Sequence, residues 1–315
     1  MTKSTDIYQT VILGSGPAGY TAAIYACRAG LKPLLITGEQ VGGQLTSTPE
    51  IANWPGRFDV PNGTDLMGSL EKHANTLGAE FLFDIAVDVD FSCENKVITL
   101  ASGKKIETKT LIICTGAHTK YLNLPSEYKY RGKGVSACAT CDGFFFKDKE
   151  VAVVGGGSSA FVEALYLSSI CKKVYLIHRR DSFRAENTLV KRLTNLQKDG
   201  KVEFILNANV DEVIGDGNKV TAISVVSKFG KRKIDLSGVF IAIGHETNSK
   251  IFEGKLELGE DGIIKVGFGS QTQTSVKGVF AAGDCADNIY RQAITSAGMG
   301  CMAALDAEKY LQEQL

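Results

Sequence analysis

Along the chain, short apolar runs end abruptly at glycine and pass into longer stretches whose apolar residues follow a helical pattern. The first, "TVILGSGPAGYTAAIYACRAG", has a β-branched run, glycines at Gly14, Gly16 and Gly19, and an Ala-rich pattern that stops at Gly30. This predicts strand, Gly-rich turn and helix, with a second strand in "PLLIT" from Pro33. The order recurs at "EVAVVGGGSSAFVEALYLSS", where Gly155, Gly157 and Ala160 stand at the same offsets before another helix. Two further apolar strands, "TLIICTGA" (110–117) and "GVFIAIGH" (238–245), each end in a glycine turn and bracket this second unit. The chain closes with "GVFAAGDCAD" and a helix beginning near Arg291 in "IYRQAITSAGMGCMAALDAEKYL". Strands alternating with helices predict an α/β fold. We expect two Rossmann-like, three-layer dinucleotide-binding domains, one inserted in the other. The outer domain is expected over 1–116 and 246–315, the inserted one over 117–245.

A length of 315 residues suits about two domains. Apolar residues at 44% and charged ones at 22% are ordinary for a globular chain. The 35 basic and 35 acidic side chains cancel, which argues against a nucleic-acid or anionic-membrane partner recognised by charge. The densest basic run, "KFGKRK", reads as a solvated hairpin tip. The first residues, "MTKSTDIYQ", are polar, and no apolar run approaches the roughly 20 residues of a membrane span. Eight cysteines without a signal peptide predict a reducing cytoplasm, where a close pair is more readily catalytic or metal-binding than a staple.

The two glycine turns carry the first chemistry. Glycines at such a turn let backbone N–H groups and a helix N-terminus approach a pyrophosphate that a Cβ would hold off. In the first unit the second strand runs into Thr37, Gly38 and Glu39, the acid lying where a ribose-binding carboxylate is expected. In the second, "KKVYLIHRRDSFRAE" puts His178, Arg179, Arg180 and Arg184 there instead. Guanidinium forks match a 2′-phosphate, so the second turn predicts NADPH and the first, lacking arginines, FAD. Gly42 and Gly43 in "GEQVGGQL" permit a further close approach, with Gln44 able to bond a ring edge, and "NWPG" places Asn53 in a turn. Asp284, after Gly283 at a strand end, suits the ribityl hydroxyls, and the helix near Arg291 would aim its first amides at the flavin ring. Trp54 is given no role.

Residues 136 to 146, "SACATCDGFFF", hold the one close cysteine pair, Cys138 and Cys141. A zinc site needs two more thiolates or imidazoles at suitable spacing, and the other cysteines, 27, 93, 114, 171, 285 and 301, are single. We therefore expect no metal. A dithiol between a flavin unit and an NADPH unit reads instead as a redox pair. Asp142 could exchange protons with its thiols, although an aspartate before Gly143 also makes a turn residue.

Taken together, "GSGPAGYTAAIYA", "GGQL", "NWPG", "SACATCDGFFF", "HRRDSFRAE", "IAIGH", "FAAGD" and "IYRQAITSAGMGCMAALDAE" resemble the low-molecular-weight, bacterial-type thioredoxin reductases of the class II pyridine nucleotide-disulfide oxidoreductases. The likeness covers essentially the whole chain. It implies an NADPH-dependent thioredoxin-disulfide reductase, a cytoplasmic homodimer with thioredoxin as partner and Cys138, Cys141 and Asp142 as the catalytic group. It further implies that FAD is held by Gly14, Ser15, Gly16, Pro17, Ala18 and Gly19, by Thr37 to Glu39, and by Gly42, Gly43, Gln44 and Leu45. Asn53, Val87, Thr115, Gly116, Gly283, Asp284, Arg291, Gln292 and Ala293 complete that set. NADPH is implied at Gly155, Gly157, Ser158, Ser159, Ala160 and Glu163, at His178, Arg179, Arg180 and Arg184, and at Ile243 and Gly244. The sequence departs from the family pattern at Val162, where a second acid often precedes Glu163, and at the Ser158-Ser159 pair. A related FAD-dependent dithiol oxidase, or a reductase of another thioredoxin-like protein, is the alternative, and the arginines speak against the oxidase. A non-enzymatic scaffold would need neither the cysteine pair nor both turns. The inserted domain is expected to swing about 117–119 and 245–248, bringing nicotinamide and disulfide to the flavin in turn.

Overall fold

The computed structural model describes residues 7–314 except 49, 60 and 260. The chain divides into two compact units, one of Met1–His118 with Glu246–Leu315, the other of Thr119–His245.

In the first unit, β1 (Tyr8–Leu13) leads through the Gly14–Gly16 turn into α1 (Pro17–Arg28) and then β2 (Leu34–Ile36). Proline at the first helical position costs no hydrogen bond and presets φ. Gly30, at φ 77°, closes the helix, with Leu31 N–H on the Ala26 carbonyl and Gly30 N–H on that of Cys27. Next come α2 (Gly63–Thr76), β3 (Glu80–Leu82), β4 (Ala86–Asp90), β5 (Lys96–Leu100) and β6 (Lys105–Ile113). The strand order β3-β2-β1-β6-β5-β4 belongs to a seven-stranded sheet, parallel about β1 and antiparallel where β5 meets β4 and β6. The sequence of β6 reflects both surroundings. Its first half alternates where it faces β5, and Leu111, Ile112 and Ile113 are all buried where it lies beside β1.

The inserted unit begins beyond β7 (Ala117–Thr119) with α3 (Pro125–Lys129), β8 (Val135–Ser136) and α4 (Ala139–Asp142). There follow β9 (Glu150–Val154), α5 (Ser158–Ile170), β10 (Lys173–His178), α6 (Asn187–Lys198) and β11 (Val202–Leu206), then β12 (Ala208–Gly215), β13 (Val220–Ser227), β14 (Gly230–Asp235) and β15 (Gly238–Ile241). Its parallel sheet has the order β11-β10-β9-β15-β8. One face packs on α4 and α5 through Val151, Val153, Phe161, Leu176 and Phe240. The other packs on the antiparallel layer β12-β13-β14 through Ala152, Val154, Ile177, Ile223 and Val239. One outer layer is thus a β-meander rather than helices. The basic run falls at the β13–β14 turn and along β14, where Lys231 and Arg232 pair with Asp211 and Glu203.

The chain returns through β16 (His245–Thr247), which pairs with β7 in a two-stranded ribbon. Then β17 (Val279–Ala281) joins β6 in parallel, and α7 (Ala293–Gln312) closes the first unit. The helix expected near Arg291 starts at Ala293, capped by reciprocal bonds between Gln292 and Thr295. It lies so close to α1 that a Cβ on Gly300 would stand 2.1 Å from the Ala18 carbonyl oxygen. Only small residues allow that spacing, and Ala18, Ala22, Ala303 and Ala304 supply them.

Candidate active site

In the first unit, Gly14 takes φ 104°, and a Cβ there would meet the Cys114 carbonyl oxygen at 2.2 Å. A Cβ on Gly19 would come within 1.9 Å of the Gly14 oxygen, so the third glycine lets α1 sit against its own turn. In front of Gly16 nothing lies within 4 Å. The Ser15 hydroxyl donates to the Thr37 carbonyl at 2.8 Å and accepts from Gly42 N–H at 2.9 Å, binding turn, second strand and the "GGQL" loop together. A Cβ on Gly43 would stand 3.1 Å from the Gly16 Cα. Gln44 and Leu45 begin a short 3₁₀ turn, and Glu39 is exposed beyond β2. Val87 sits at the β4 bulge, three residues after Asp84, whose carbonyl accepts from Gly38 N–H.

The return segment lines the same unit. Thr115 and Gly116 follow β6, the buried Thr115 Oγ1 has no oxygen or nitrogen partner among the described residues and lies beside the Cys285 thiol, and Gly116 (φ 68°) has open space before it. Asp284 accepts from Ser296 Oγ at 3.0 Å, and burial pushes its carboxyl above the ordinary range. Asn53 reaches Gln292 at 3.4 Å. Asp287, which the sequence reading passed over, accepts from the N–H groups of Ile289, Tyr290 and Arg291 and holds Arg291 at φ 48° ahead of Ala293.

The inserted unit repeats the cradle with different parts. A Cβ on Gly155 would meet the Ala242 oxygen at 2.3 Å, and Gly157 faces open space. Gly156 was also missed. Its missing side chain makes room for the His178 ring, 2.2 Å from where a Cβ would stand. His178 is buried, its Nε2 lies 3.1 Å from the Ser182 carbonyl, and burial, with the neighbouring arginines, lowers its pKa. It therefore shapes the loop, while Arg179, Arg180 and Arg184 are exposed and none is ion-paired among the described residues. The loop is held by Arg184 N–H on the Gly156 carbonyl and Glu186 N–H on Ser158 Oγ. Ser159 and Ala160 open α5, and Ile243 and Gly244 (φ 111°) follow β15.

Cys138 and Cys141 form a disulfide, with Cys138 as the N-cap of α4. Its sulfur accepts from Cys141 N–H at 3.2 Å and lies 3.4 Å from Thr140 Oγ1. Gly143 lets the segment lie flat on α5, since a Cβ there would meet Tyr166 at 2.9 Å and Leu167 at 3.0 Å. Phe146 packs edge-on against Phe240, whereas Phe144 and Phe145 are 71% and 44% exposed. Asp142 is mostly buried, which raises its pKa, and a bond from Ser136 partly counters the rise. Glu163, expected at the nucleotide, faces Ala139 of α4. Its buried Oε2 has no hydrogen-bond partner among the described residues, and burial pushes its pKa up to about 8 against the pull of the Ala139 N–H.

A dithiol segment and two glycine cradles in one chain are the parts of a nucleotide-driven disulfide chemistry. Residues 8–300 match the family described as pyridine nucleotide-disulphide oxidoreductase. The chain belongs to that family. Two relatives of this oxidoreductase are a glucosaminate ammonia-lyase of Pseudomonas fluorescens, 53% identical over 96% of this chain and 95% of its own, and a thioredoxin reductase of Vibrio cholerae, 52% identical over 96% of each. Among solved structures, a thioredoxin reductase from Giardia duodenalis superposes with a TM-score of 0.92 at 40% identity, covering 97% of this chain and 99% of its own. The expected fold of the oxidoreductase and its resemblance to the thioredoxin reductases are borne out.

Proposed function

We propose that the protein is an NADPH-dependent thioredoxin-disulfide reductase, with FAD in the outer unit, NADPH in the inserted unit and Cys138–Cys141 as the pair that turns over. The observation that carries this reading is the disulfide itself. It stands on the nucleotide unit, with a buried acid behind it and two exposed phenylalanines beside it, in a chain whose relatives include thioredoxin reductases.

The residues of both cradles fit the cofactors. Open space before Gly16, Gly116, Gly157 and Gly244 is what a pyrophosphate or ring requires and what a Cβ would fill. The buried Thr115 hydroxyl and the Asp284 carboxyl offer partners for FAD, and the exposed Arg179, Arg180 and Arg184 offer them for a 2′-phosphate. When bound, FAD supplies hydride acceptance from NADPH and two-electron delivery to a disulfide.

The chain's own residues account for the rest. In the reduced pair, the Cys138 sulfur keeps the Cys141 N–H and the Thr140 hydroxyl, which stabilise a thiolate and make it the attacking atom. It forms a bond to one thioredoxin sulfur as the thioredoxin disulfide breaks, and the departing sulfur takes a proton. Cys141 then attacks Cys138, the mixed disulfide breaks, thioredoxin leaves as a dithiol and the Cys138–Cys141 bond is restored. Asp142 holds and returns the proton of these steps. Phe144 and Phe145 give a protein-sized partner apolar area beside the sulfurs. The same reading includes a homodimer in the cytoplasm and a swing of the inserted unit about 117–119 and 245–248. Among the described residues no helix is long and apolar enough to cross a membrane.

The test is NADPH oxidation with thioredoxin and a chromogenic disulfide, omitting each component in turn. Turnover that requires all of them is the expected result. Thioredoxin-independent oxidation by oxygen would favour the dithiol oxidase. Ammonia release from glucosaminate without thioredoxin turnover would assign this chain the activity named for its Pseudomonas fluorescens relative.

A further inference from the structure

Ser136 lies at the end of β8, buried, two residues before the redox pair. Its single hydroxyl proton has two possible acceptors, Asp142 Oδ2 at 2.6 Å and the Cys138 carbonyl at 3.4 Å. The shorter bond to the carboxylate wins. The Ser136 Oγ in turn accepts from Cys138 N–H at 3.1 Å. Ser136 thus stands between the acid and the peptide that carries the attacking sulfur, and its bond is the one hydrogen bond to the Asp142 carboxyl among the described residues. A carboxyl removed from water with one partner owes its orientation and its ionised form to that partner.

We propose that Ser136 is a positioning residue for the redox pair: its hydroxyl bridges the Asp142 carboxylate and the Cys138 amide, and so keeps the acid aimed at the disulfide as the sulfurs open and close. The proposal rests on the reductase reading for its purpose, though not for its geometry. Among the described residues no other side chain hydrogen-bonds the Asp142 carboxyl. Tyr121 lies near Asp142 but shares its ring with the Arg131 guanidinium, 3.5 Å from the centroid. Glu163 meets the segment from α5, at Ala139. Along the chain, the nearest further ionisable groups are the two thiols of the reduced pair, Cys138 and Cys141. Reduction of the disulfide takes up two electrons, delivered in the reductase reading from NADPH, and two protons. With the bridge intact, Asp142 can pass a proton to the sulfur that is released.

Two measurements test this. The first is an infrared titration of the dithiothreitol-reduced protein, following the carboxylic C=O band that disappears in Asp142→Asn. It needs no nucleotide, so it stands even if the reductase reading fails. In Ser136→Ala the band should persist to a pH about one unit higher, the carboxylate having lost its donor, and Ser136→Thr should restore the original midpoint. The second is single-turnover reduction of thioredoxin. Ser136→Ala should slow it about tenfold at unchanged KM, Ser136→Thr should recover most of the rate, and in Asp142→Asn the serine change should make no further difference. An unshifted midpoint in Ser136→Ala, or a threonine variant as impaired as the alanine one, or full additivity with Asp142→Asn, would each overturn the proposal. Absence of any thioredoxin reduction by the unaltered protein, with the midpoint shifting as expected, would refute the reductase reading alone.

Discussion

The two glycine turns solve one problem with different parts. In each, the first glycine passes under a carbonyl of a neighbouring strand end, Cys114 for Gly14 and Ala242 for Gly155, and its N–H bonds the second strand at Ile36 or Ile177. Beyond this the turns diverge. The outer unit spends a side chain in the turn, Ser15, to bind the end of β2 at Thr37. The inserted unit has Gly156 there, and His178, the last residue of β10, fills the space with its own ring. The turn that carries the serine is followed by Gly38 and exposed Glu39, the one that carries the glycine by Arg179 and Arg180. A locking contact can therefore come from either partner, the turn or the strand end.

The largest expected effect separates the units altogether, since only the inserted one carries sulfur chemistry. Cys138→Ser or Cys141→Ser should abolish thioredoxin reduction while leaving anaerobic bleaching of a yellow protein by NADPH intact. Retained thioredoxin turnover in either variant would end the redox-pair assignment. Next, neutralising both Arg179 and Arg180 should raise the KM for NADPH by more than about tenfold with little change for NADH, because each charge-assisted bond is worth about 1.5–3 kcal/mol. Equal losses for both nucleotides would show that the arginines do not reach the 2′-phosphate.

The third glycine sharpens the comparison from the folding side. Gly19→Ala puts a Cβ 1.9 Å from the Gly14 oxygen, so the turn must open. We expect a loss of at least about 2 kcal/mol and of bound FAD, read by thermal melting and flavin absorbance. The reverse change at the matching position, Ala160→Gly, should cost about 1 kcal/mol through helix propensity and about a further 1 kcal/mol through the lost packing of a buried methyl. A mild Gly19→Ala would mean that the turns are less alike than their backbones.

The smallest effect concerns Glu163, an acid whose folded pKa is raised to about 8. The folded state then holds the proton more tightly than the unfolded one, so the stability linked to this group is complete at low pH. It is lost as pH rises from the unfolded carboxylate range through 8. Glu163→Gln removes this slope. Its Tm should match that of the parent near pH 5 and exceed it by roughly 5 °C at pH 9. A constant difference across that range would mean that the carboxyl is not held protonated.

Much was legible in the chain because it is local. A β-branched run, three spaced glycines and an Ala-rich helix span some twenty residues and specify strand, turn and helix whatever surrounds them. The arginines after β10, the isolation of the cysteine pair and the small residues of the last helix were equally open to reading. The start of α7 near Arg291 was legible, while its exact first residue, Ala293, is set by a reciprocal cap of Gln292 with Thr295 and not by one of the common N-cap residues. Glu163 is placed at the nucleotide by the family resemblance alone, and position along a helix does not tell which neighbouring element its side chain meets.

What the sequence determined by itself is the type and order of the chemistry: two glycine turns of the nucleotide-binding kind, a group of arginines after the second strand of one of them, and a dithiol beside an acid. What only the tertiary structure decided is which groups are shut off from water and what they touch there. Ser136 finds Asp142, Glu163 finds Ala139, His178 fills the gap left by Gly156, and an antiparallel layer rather than helices covers one face of the inserted sheet. The reason is physical. Local conformation follows from sterics a few residues in range, whereas burial, and with it the proton affinity of a carboxyl, depends on which distant segment comes to lie on top.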